Sequence, residues 1–328
     1  MKYYLLLFIS CVILAHAMTS CNDKTNKELV DYVNPNIGTI GHLLVATASI
    51  TQLPHGILQL GQNPYPELAD RYLADRVSSF SLRALPRYSV QTVPSWIMAT
   101  TGNVIVAPDK MASRFDHDFE TVTPYYSSLL LEDYDIETEY TLTEHASIYR
   151  FTFPGSGNSN ILLANNVSIV EQLDKGRKAY FHAVFSKPFV SSGTWSKNDI
   201  SQLTTQNGDS VGAFFTFSTK ENEKISVKIG VSYIDMEQAE NSLYREIPAW
   251  DFEKVKTKAK NIWNEALNKI KIEGGSEREK TIFYSALYRV MLGSQSVNLT
   301  EYGRYYSVHD SAVHETNGRN FYQVASNW

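Results

Sequence analysis

Five consecutive residues, Asp116-His117-Asp118-Phe119-Glu120, form the densest titratable cluster in the sequence. Three carboxyls beside an imidazole could bind a cation or exchange protons. Strand alternation predicts Phe115, His117 and Phe119 on one face and Asp116, Asp118 and Glu120 on the other, so a solvated polar face is the favoured reading and metal or acid–base chemistry the lesser one. A second stretch, NPNIGTIGH at 34–42, offers different chemistry. Gly38 and Gly41 allow a tight turn and close approach of the backbone to a ligand, Thr39 carries a hydroxyl, and His42 can donate or accept a hydrogen bond. A Gly-rich turn before a strand is more often plain structure, and both readings stay open. Asp310, Glu315 and Asn317 could supply oxygens to an ion, although a polar loop is the favoured reading. No loop has the close Asp spacing of an EF-hand. Trp96 offers a flat apolar face on which a ring could pack, or a core residue.

The elements that must position these groups are mostly strands. From about Val104 to Val231 the runs NVIVAP, YYSSLLLE, IETEYTLT, ASIYRFTF, NILLANNVS, AYFHAVF, VGAFFTFS and KISVKIGVS follow one another between turn residues, each of usual strand length. In IETEYTLT, Ile136, Thr138, Tyr140 and Leu142 alternate with Glu137, Glu139, Thr141 and Thr143, which predicts one buried face. PGSGNSN and TQNGDS are loops. The fold class expected is mainly β, a large antiparallel β-sandwich. The period then changes. Phe252, Val255, Ala259, Ile262, Trp263, Ala266, Leu267 and Ile270 recur at helical steps. Gly274 and Gly275 stop that helix, and Ser276 with Glu279 forms a capping box. The box opens a second helix with Ile282, Phe283, Ala286, Leu287, Val290 and Met291 on its apolar side. Strand-like residues around Gly303 follow.

Composition sets outer limits. The chain has 328 residues, 43% hydrophobic and 20% charged, with a formal net charge of −5 from mixed signs. That excludes a nucleic-acid partner and a polybasic membrane patch. Residues 1–20 have a charged start at Lys2 and a long apolar run, which predicts an export signal too short to span a bilayer comfortably. MTSC before Asn22 resembles a bacterial lipobox, so Cys21 is the expected lipidation site of a membrane-anchored lipoprotein, at the periplasm, outer membrane or cell surface, with 21–28 as a tether. Cleavage after AHA as a plain signal is the alternative. The only other cysteine, Cys11, lies in the segment removed, so the exported chain has no disulfide and no cysteine metal site. In a bacterial setting, NVS at 166–168 and NLT at 298–300 are loop or strand residues and not glycan acceptors.

In order along the chain, DYVNPNIGTIGH, FDHDFETVTPYYSSLLLEDYDIETEYTLTEHASIYRFTFP, YIDMEQAENSLYREIPAWDFEKVKTKAKNIWNEALNKIKIEG and TIFYSALYRVML…YGRYYS…FYQVASNW resemble the glycoside hydrolase family 92 α-mannosidases. The resemblance covers nearly everything beyond the export signal except about 43–96. It implies a β-sandwich over 29–245, a linker helix over 246–272, and over 273–328 the start of a helical (α/α)6 toroid. It also implies calcium-dependent, inverting hydrolysis of α-mannosides. Such hydrolysis needs two carboxyls roughly 6.5–9.5 Å apart, one protonating the leaving oxygen and one activating water.

The family continues past FYQVASNW as Trp-Asp-Thr into the toroid, which supplies the acid, the base and most sugar contacts. Twelve helices of about eleven residues each cannot fit after 272. The resemblance therefore implies a front part whose catalytic residues are not in this sequence, with calcium expected only of the complete enzyme, no metal site of its own, and a missing toroid as its natural partner. Its partner in function is a mannose-containing glycan. Because a similar family loop faces the active site, Gly38, Thr39, Gly41 and His42 become the expected sugar-contacting residues. A non-catalytic carbohydrate-binding or structural sandwich lipoprotein is the alternative. SFSLRALPRYSV stands where many members have a His-rich stretch, and only Pro54-His55-Gly56 and LQLG keep part of a second pattern. The family's usual linkage preference therefore does not carry over.

Overall fold

The computed structural model describes residues 27–41, 47, 49–66, 73–84, 96–166, 178–208, 210–292 and 296–324. The export segment, Cys21 and His42 lie outside the described residues. In chain order the strands of the two large sheets are β1 Thr51–Gln52, β2 Leu58–Pro64, β3 Arg76–Ala84, β4 Trp96–Thr101, β5 Ser113–Arg114, β6 Thr121–Val122, β7 Tyr126–Leu131, β8 Ile136–Leu142, β9 Ala146–Phe153, β10 Ser156–Asn166, β11 Tyr180–Phe185, β12 Ser191–Ser196, β13 Asp199–Ser201, β14 Ser210–Thr219 and β15 Glu223–Ser232. One sheet runs β1-β2-β3-β4-β10-β14-β12-β13 with β5 beside β3, the other β11-β15-β9-β8-β7-β6. Mainly antiparallel β structure is as the sequence predicts.

The expected strand NVIVAP is absent. Pro108 instead opens a one-turn helix, α1 Pro108–Met111, because proline has no amide for a ladder and its fixed φ suits the first helical position. The sheet also starts earlier than Val104, at Thr51, and includes the serine-rich β12 and β13, whose small polar residues hide the alternation. Between the sheets, Phe80 of β3 lies 5.8 Å from Tyr140 of β8, and Tyr140 lies 5.6 Å from Tyr149 of β9. Phe151 and Phe153 continue the row. These rings are fully or almost fully buried, and each contributes roughly 1.5–3 kcal/mol by leaving water.

β8 corrects the one-face expectation. Ile136, Thr138, Tyr140 and Leu142 face inward as predicted, yet Glu139 and Thr141 on the other side are buried too. Two helices cover that outer face: α2 Met236–Glu246 on β15, β11 and β9, and α3 Phe252–Leu267 on β8. Ala146, Ile148, Leu243, Ile247, Phe252 and Val255 form the apolar layer beneath them. At Gly230 a Cβ would lie 2.1 Å from the Ala239 carbonyl oxygen, so α2 rests directly on the strand backbone. Glu139 is paired with Arg150, its cross-strand neighbour, at 2.6 and 2.7 Å. A buried carboxylate needs such a bidentate partner.

Asp251 caps α3 by accepting from the Lys254 amide at 3.0 Å. The helix buries Phe252, Val255, Ala259, Trp263, Ala266 and Leu267, as its periodicity predicts; Ile270 falls beyond the helix and is exposed. Trp263 donates to the Gln52 carbonyl at 2.8 Å and the Pro124 carbonyl at 3.2 Å, tying the helix to β1 and to the entry of β7. Ser276 and Glu279 form the predicted capping box at the start of α4 Glu277–Val290. The buried face of α4 is only partly the predicted one: Phe283, Leu287 and Met291 pack half-buried against the core, but the deepest residues are others. Tyr284, Ser285 and Tyr288 are buried, whereas Ile282 and Val290 are 53% and 64% exposed. The tyrosines meet Tyr32 of the short turn Leu29–Tyr32 and Trp263, with ring centroids at 5.8 and 5.1 Å. Tyr288 donates its hydroxyl to the Ile50 carbonyl at 2.8 Å. Past α4 come two small ribbons, β16 Ser296–Asn298 with β19 Tyr322–Val324 and β17 Arg304–Ser307 with β18 Ala312–Glu315. No described helix is long and apolar enough to cross a membrane.

Candidate functional site

The Gly-rich loop 34–41 lies where the sandwich meets α4. The Asn34 amide donates to Ser285 Oγ at 2.9 Å, and Arg289 Nη2 donates to the carbonyls of Pro35 and Ile37 at 2.7 and 2.6 Å. Within the loop the Asn36 amide donates to Asn34 Oδ1 at 2.9 Å, and Asn36 Oδ1 accepts from Ser49 Oγ at 2.5 Å. Gly38 has φ +86°, and its carbonyl accepts from the Thr47 amide at 2.8 Å. An L side chain avoids that conformation, so the glycine is a conformational requirement. Thr39 is buried and its hydroxyl donates to the Asn36 carbonyl at 2.8 Å, which turns it into the loop. Ile37, Gly38 and Ile40 are exposed, and Gly41 is half-buried. The edge open to a ligand is therefore mainly backbone and isoleucine.

A buried polar network holds the C-terminal segment to the sandwich beside α2. His145, in the turn between β8 and β9, has Nδ1 2.7 Å from Glu246 Oε1 and Nε2 3.1 Å from the Thr300 carbonyl. Since both neighbours only accept, both ring nitrogens carry protons. Burial alone would lower the pKa of this imidazole, but the hydrogen bond and charge of Glu246 outweigh it and raise it to about 9. Burial pushes the Glu246 carboxyl the other way, and His145 reverses that, bringing it down to about 2. Glu246 also accepts from the His145 amide at 2.9 Å and from the Tyr302 hydroxyl. Glu301 accepts from Ser232 Oγ at 2.5 Å and the Tyr233 amide at 2.8 Å, and burial raises its pKa. Pro54-His55-Gly56 docks on the same segment: His55 Nδ1 is 2.8 Å from Ser296 Oγ, and the His55 carbonyl accepts from the Asn298 amide at 3.0 Å.

The acidic cluster at 116–120 is not an alternating strand. Asp116 caps a single 3-10 turn, His117–Phe119, by accepting from the Asp118 amide at 2.9 Å. That turn throws Phe119 out to 65% exposure while Phe115 stays buried. Glu120, predicted to face solvent, is half-buried with its carboxyl turned inward, 2.5 Å from His117 Nδ1 and accepting from Gln62 Nε2 at 2.5 Å. Trp96 is a core residue stacked at 5.9 Å on Trp195. Asp310 pairs with His314 at 2.8 Å, Glu315 lies in β18 opposite Arg304, and Asn317 sits in a turn at φ +50°. Nothing gathers those three around one point.

Among the described residues no group of three or more His, Cys, Asp or Glu is placed to hold a metal. Calcium wants six to eight oxygens, and the buried carboxylates Glu139, Glu246 and Glu301 are already bound to Arg150, His145, and Ser232 with the Tyr233 amide. The described residues do not fit the ion. A cavity of about 340 Å³ is lined by Phe119, Asp135, Glu137, Glu221 and Asn222 among others. It includes no residue of 34–41.

Comparison with known proteins assigns the class first. The family model described as the glycosyl hydrolase family 92 N-terminal domain matches residues 32–174 and 165–232, and that described as the family's catalytic domain matches 238–328. The chain belongs to glycosyl hydrolase family 92. An uncharacterized secreted glycosidase of Arthroderma benhamiae is 28% identical over 56% of this chain and 30% of that protein. Two solved structures from Bacteroides thetaiotaomicron share the fold at 23% identity. A family GH92 α-mannosidase superimposes with TM-score 0.75 over 90% of this chain and 45% of its own, and an inverting mannosidase of the family with 0.76 over 90% and 44%. The chain thus spans less than half the length of the relatives it matches.

Sequence reasoning found the loop but missed what holds it. Ser285 and Arg289 are four apart on α4, on the face carrying Tyr284 and Tyr288; that tyrosine stripe was the available signal. The His145 network left none, because Glu246 is 101 and Thr300 is 155 residues away from it.

Proposed function

We propose that this chain is the sandwich and junction of an exported glycoside hydrolase that cleaves α-mannosidic linkages in glycans with inversion, and that Gly38, Thr39, Gly41 and His42 form its sugar-facing loop. Thr39 serves through its fold-internal hydrogen bond, and Gly38 through exposed backbone. Family membership and the α-mannosidase fold neighbours support the substrate class, one neighbour having been solved with mannoimidazole. The secreted glycosidase relative supports export. Lipidation at Cys21 rests on the lipobox-like MTSC alone.

The observation that carries the reading is the placement of the loop. It belongs to the stretch matched by the N-terminal domain and is gripped by a helix matched by the catalytic domain. Inversion requires one carboxyl as acid and one as base across the scissile bond. The buried carboxylates Glu139, Glu246 and Glu301 are engaged in holding the fold together, and in this reading the chain's described residues supply frame and loop. The test is calorimetric binding of mannoimidazole alongside release of nitrophenol from an aryl α-mannoside with calcium present. Binding without turnover is the expected result. Failure to bind any mannose-configured ligand overturns the sugar-facing loop, and turnover above a no-protein control overturns the assignment of acid and base to other residues.

A further inference from the structure

We propose that Arg289, helped by Ser285, is the positioning residue of the 34–41 loop, so that the sugar-facing edge is set by α4 and not by the sandwich; this rests on the reading that the loop faces sugar. The loop's internal bonds centre on Asn36, and the carbonyls of Pro35 and Ile37 both accept from one Arg289 nitrogen at 2.7 and 2.6 Å, Ile37 accepting also from Thr47 Oγ1 at 3.3 Å. A planar guanidinium received by two carbonyls two residues apart fixes the orientation of both peptides. The residue that follows is Gly38 at φ +86°, whose carbonyl closes on the Thr47 amide. The peptide plane at Ile37 and the left-handed step at Gly38 are therefore set together.

The anchor itself is rigid. Ser285 is buried and accepts from the Asn34 amide at 2.9 Å. Tyr284 and Tyr288 on either side are fully enclosed, and Tyr288 packs 5.1 Å from Trp263. A lysine would offer a single rotating ammonium and lose the shared plane. An edge that meets a ligand mostly through backbone depends on such support, because misplacement by about 1 Å costs on the order of a hundredfold in a reacting site.

Arg289→Gln, Arg289→Lys and Ser285→Ala are made in the full chain, and amide hydrogen exchange is read at Thr39 and Thr47 together with mannoimidazole affinity and melting temperature. Arg289→Gln is expected to speed exchange at both amides about tenfold and weaken the ligand by a similar factor, with the melting temperature unchanged. The lysine variant should fall between, and Ser285→Ala should loosen the loop less. Exchange at wild-type rates in Arg289→Gln overturns the proposal, as does unchanged affinity in a wild type that binds. If wild type binds nothing but the loop still loosens, positioning stands and the sugar reading fails. Should Arg289→Gln not fold, Arg289→Lys decides by the same two readouts.

Discussion

Gly38 is where residue chemistry and backbone geometry meet. At φ +86° any side chain pays the left-handed penalty, and a Cβ there would also press on Thr47 Oγ1 at 3.0 Å. Gly38→Ala should therefore cost about 1–2 kcal/mol in urea unfolding, and a variant as stable as wild type would mean that the turn does not need its glycine. Gly230→Ala should cost more, about 2–3 kcal/mol, because the added methyl meets the Ala239 carbonyl of α2 at 2.1 Å. Of these two glycines, only Gly38 was legible. Its need is local and shows in NIGTIG, whereas that at Gly230 comes from a helix packed on the strand later in the chain. The carboxyl of Glu120 was misdirected, because alternation assigns faces but not turns and the chain leaves its ladder at the 3-10 turn His117–Phe119.

At the scale of elements, α4 shows how an accurate boundary can accompany a face that is only partly right. Its capping box fixed the start, since Ser276 and Glu279 satisfy each other three residues apart whatever surrounds them. Its apolar stripe did not fix its orientation. The junction needs side chains with an apolar body and a polar tip, and Tyr288 provides both by packing on Trp263 while donating to the Ile50 carbonyl. Tyr284→Ala should accordingly cost about 3–5 kcal/mol, and Ile282→Ser no more than about 0.5 kcal/mol. Chemical denaturation of the pair gives the answer. A larger loss for Ile282→Ser than for Tyr284→Ala would restore the face predicted from periodicity. The α3 helix was legible almost in full, because it has a regular apolar period, and β8 and β9 were legible as strands though not in which faces they bury; β12 was not, because serine and glycine carry no such signal.

For the whole molecule, the His145 network makes attachment of the C-terminal segment depend on pH. His145 is raised to about 9 from the ordinary value of 6.5, so its contribution is complete below pH 6.5 and disappears as pH rises through 9. Glu246 is lowered to about 2 from 4.5, so its contribution is complete above pH 4.5 and disappears as pH falls through 2. Burial raises the pKa of Glu301, so the stability tied to its protonated form is lost as pH rises above the ordinary 4.5. The His145–Glu246 pair is thus at full strength between about pH 4.5 and 6.5. Urea midpoints followed by tryptophan fluorescence should fall from pH 6 to pH 9.5, and hydrogen exchange at Glu301 and Tyr302 should quicken in step. Removing His145 alone would strand a buried carboxylate and cost about 3–5 kcal/mol for that reason, so the informative variant is His145→Gln with Glu246→Gln. Its midpoint should be nearly level from pH 6 to 9.5. A double variant that retains the wild-type alkaline slope would place the titrating group elsewhere, with Glu301 the next to replace.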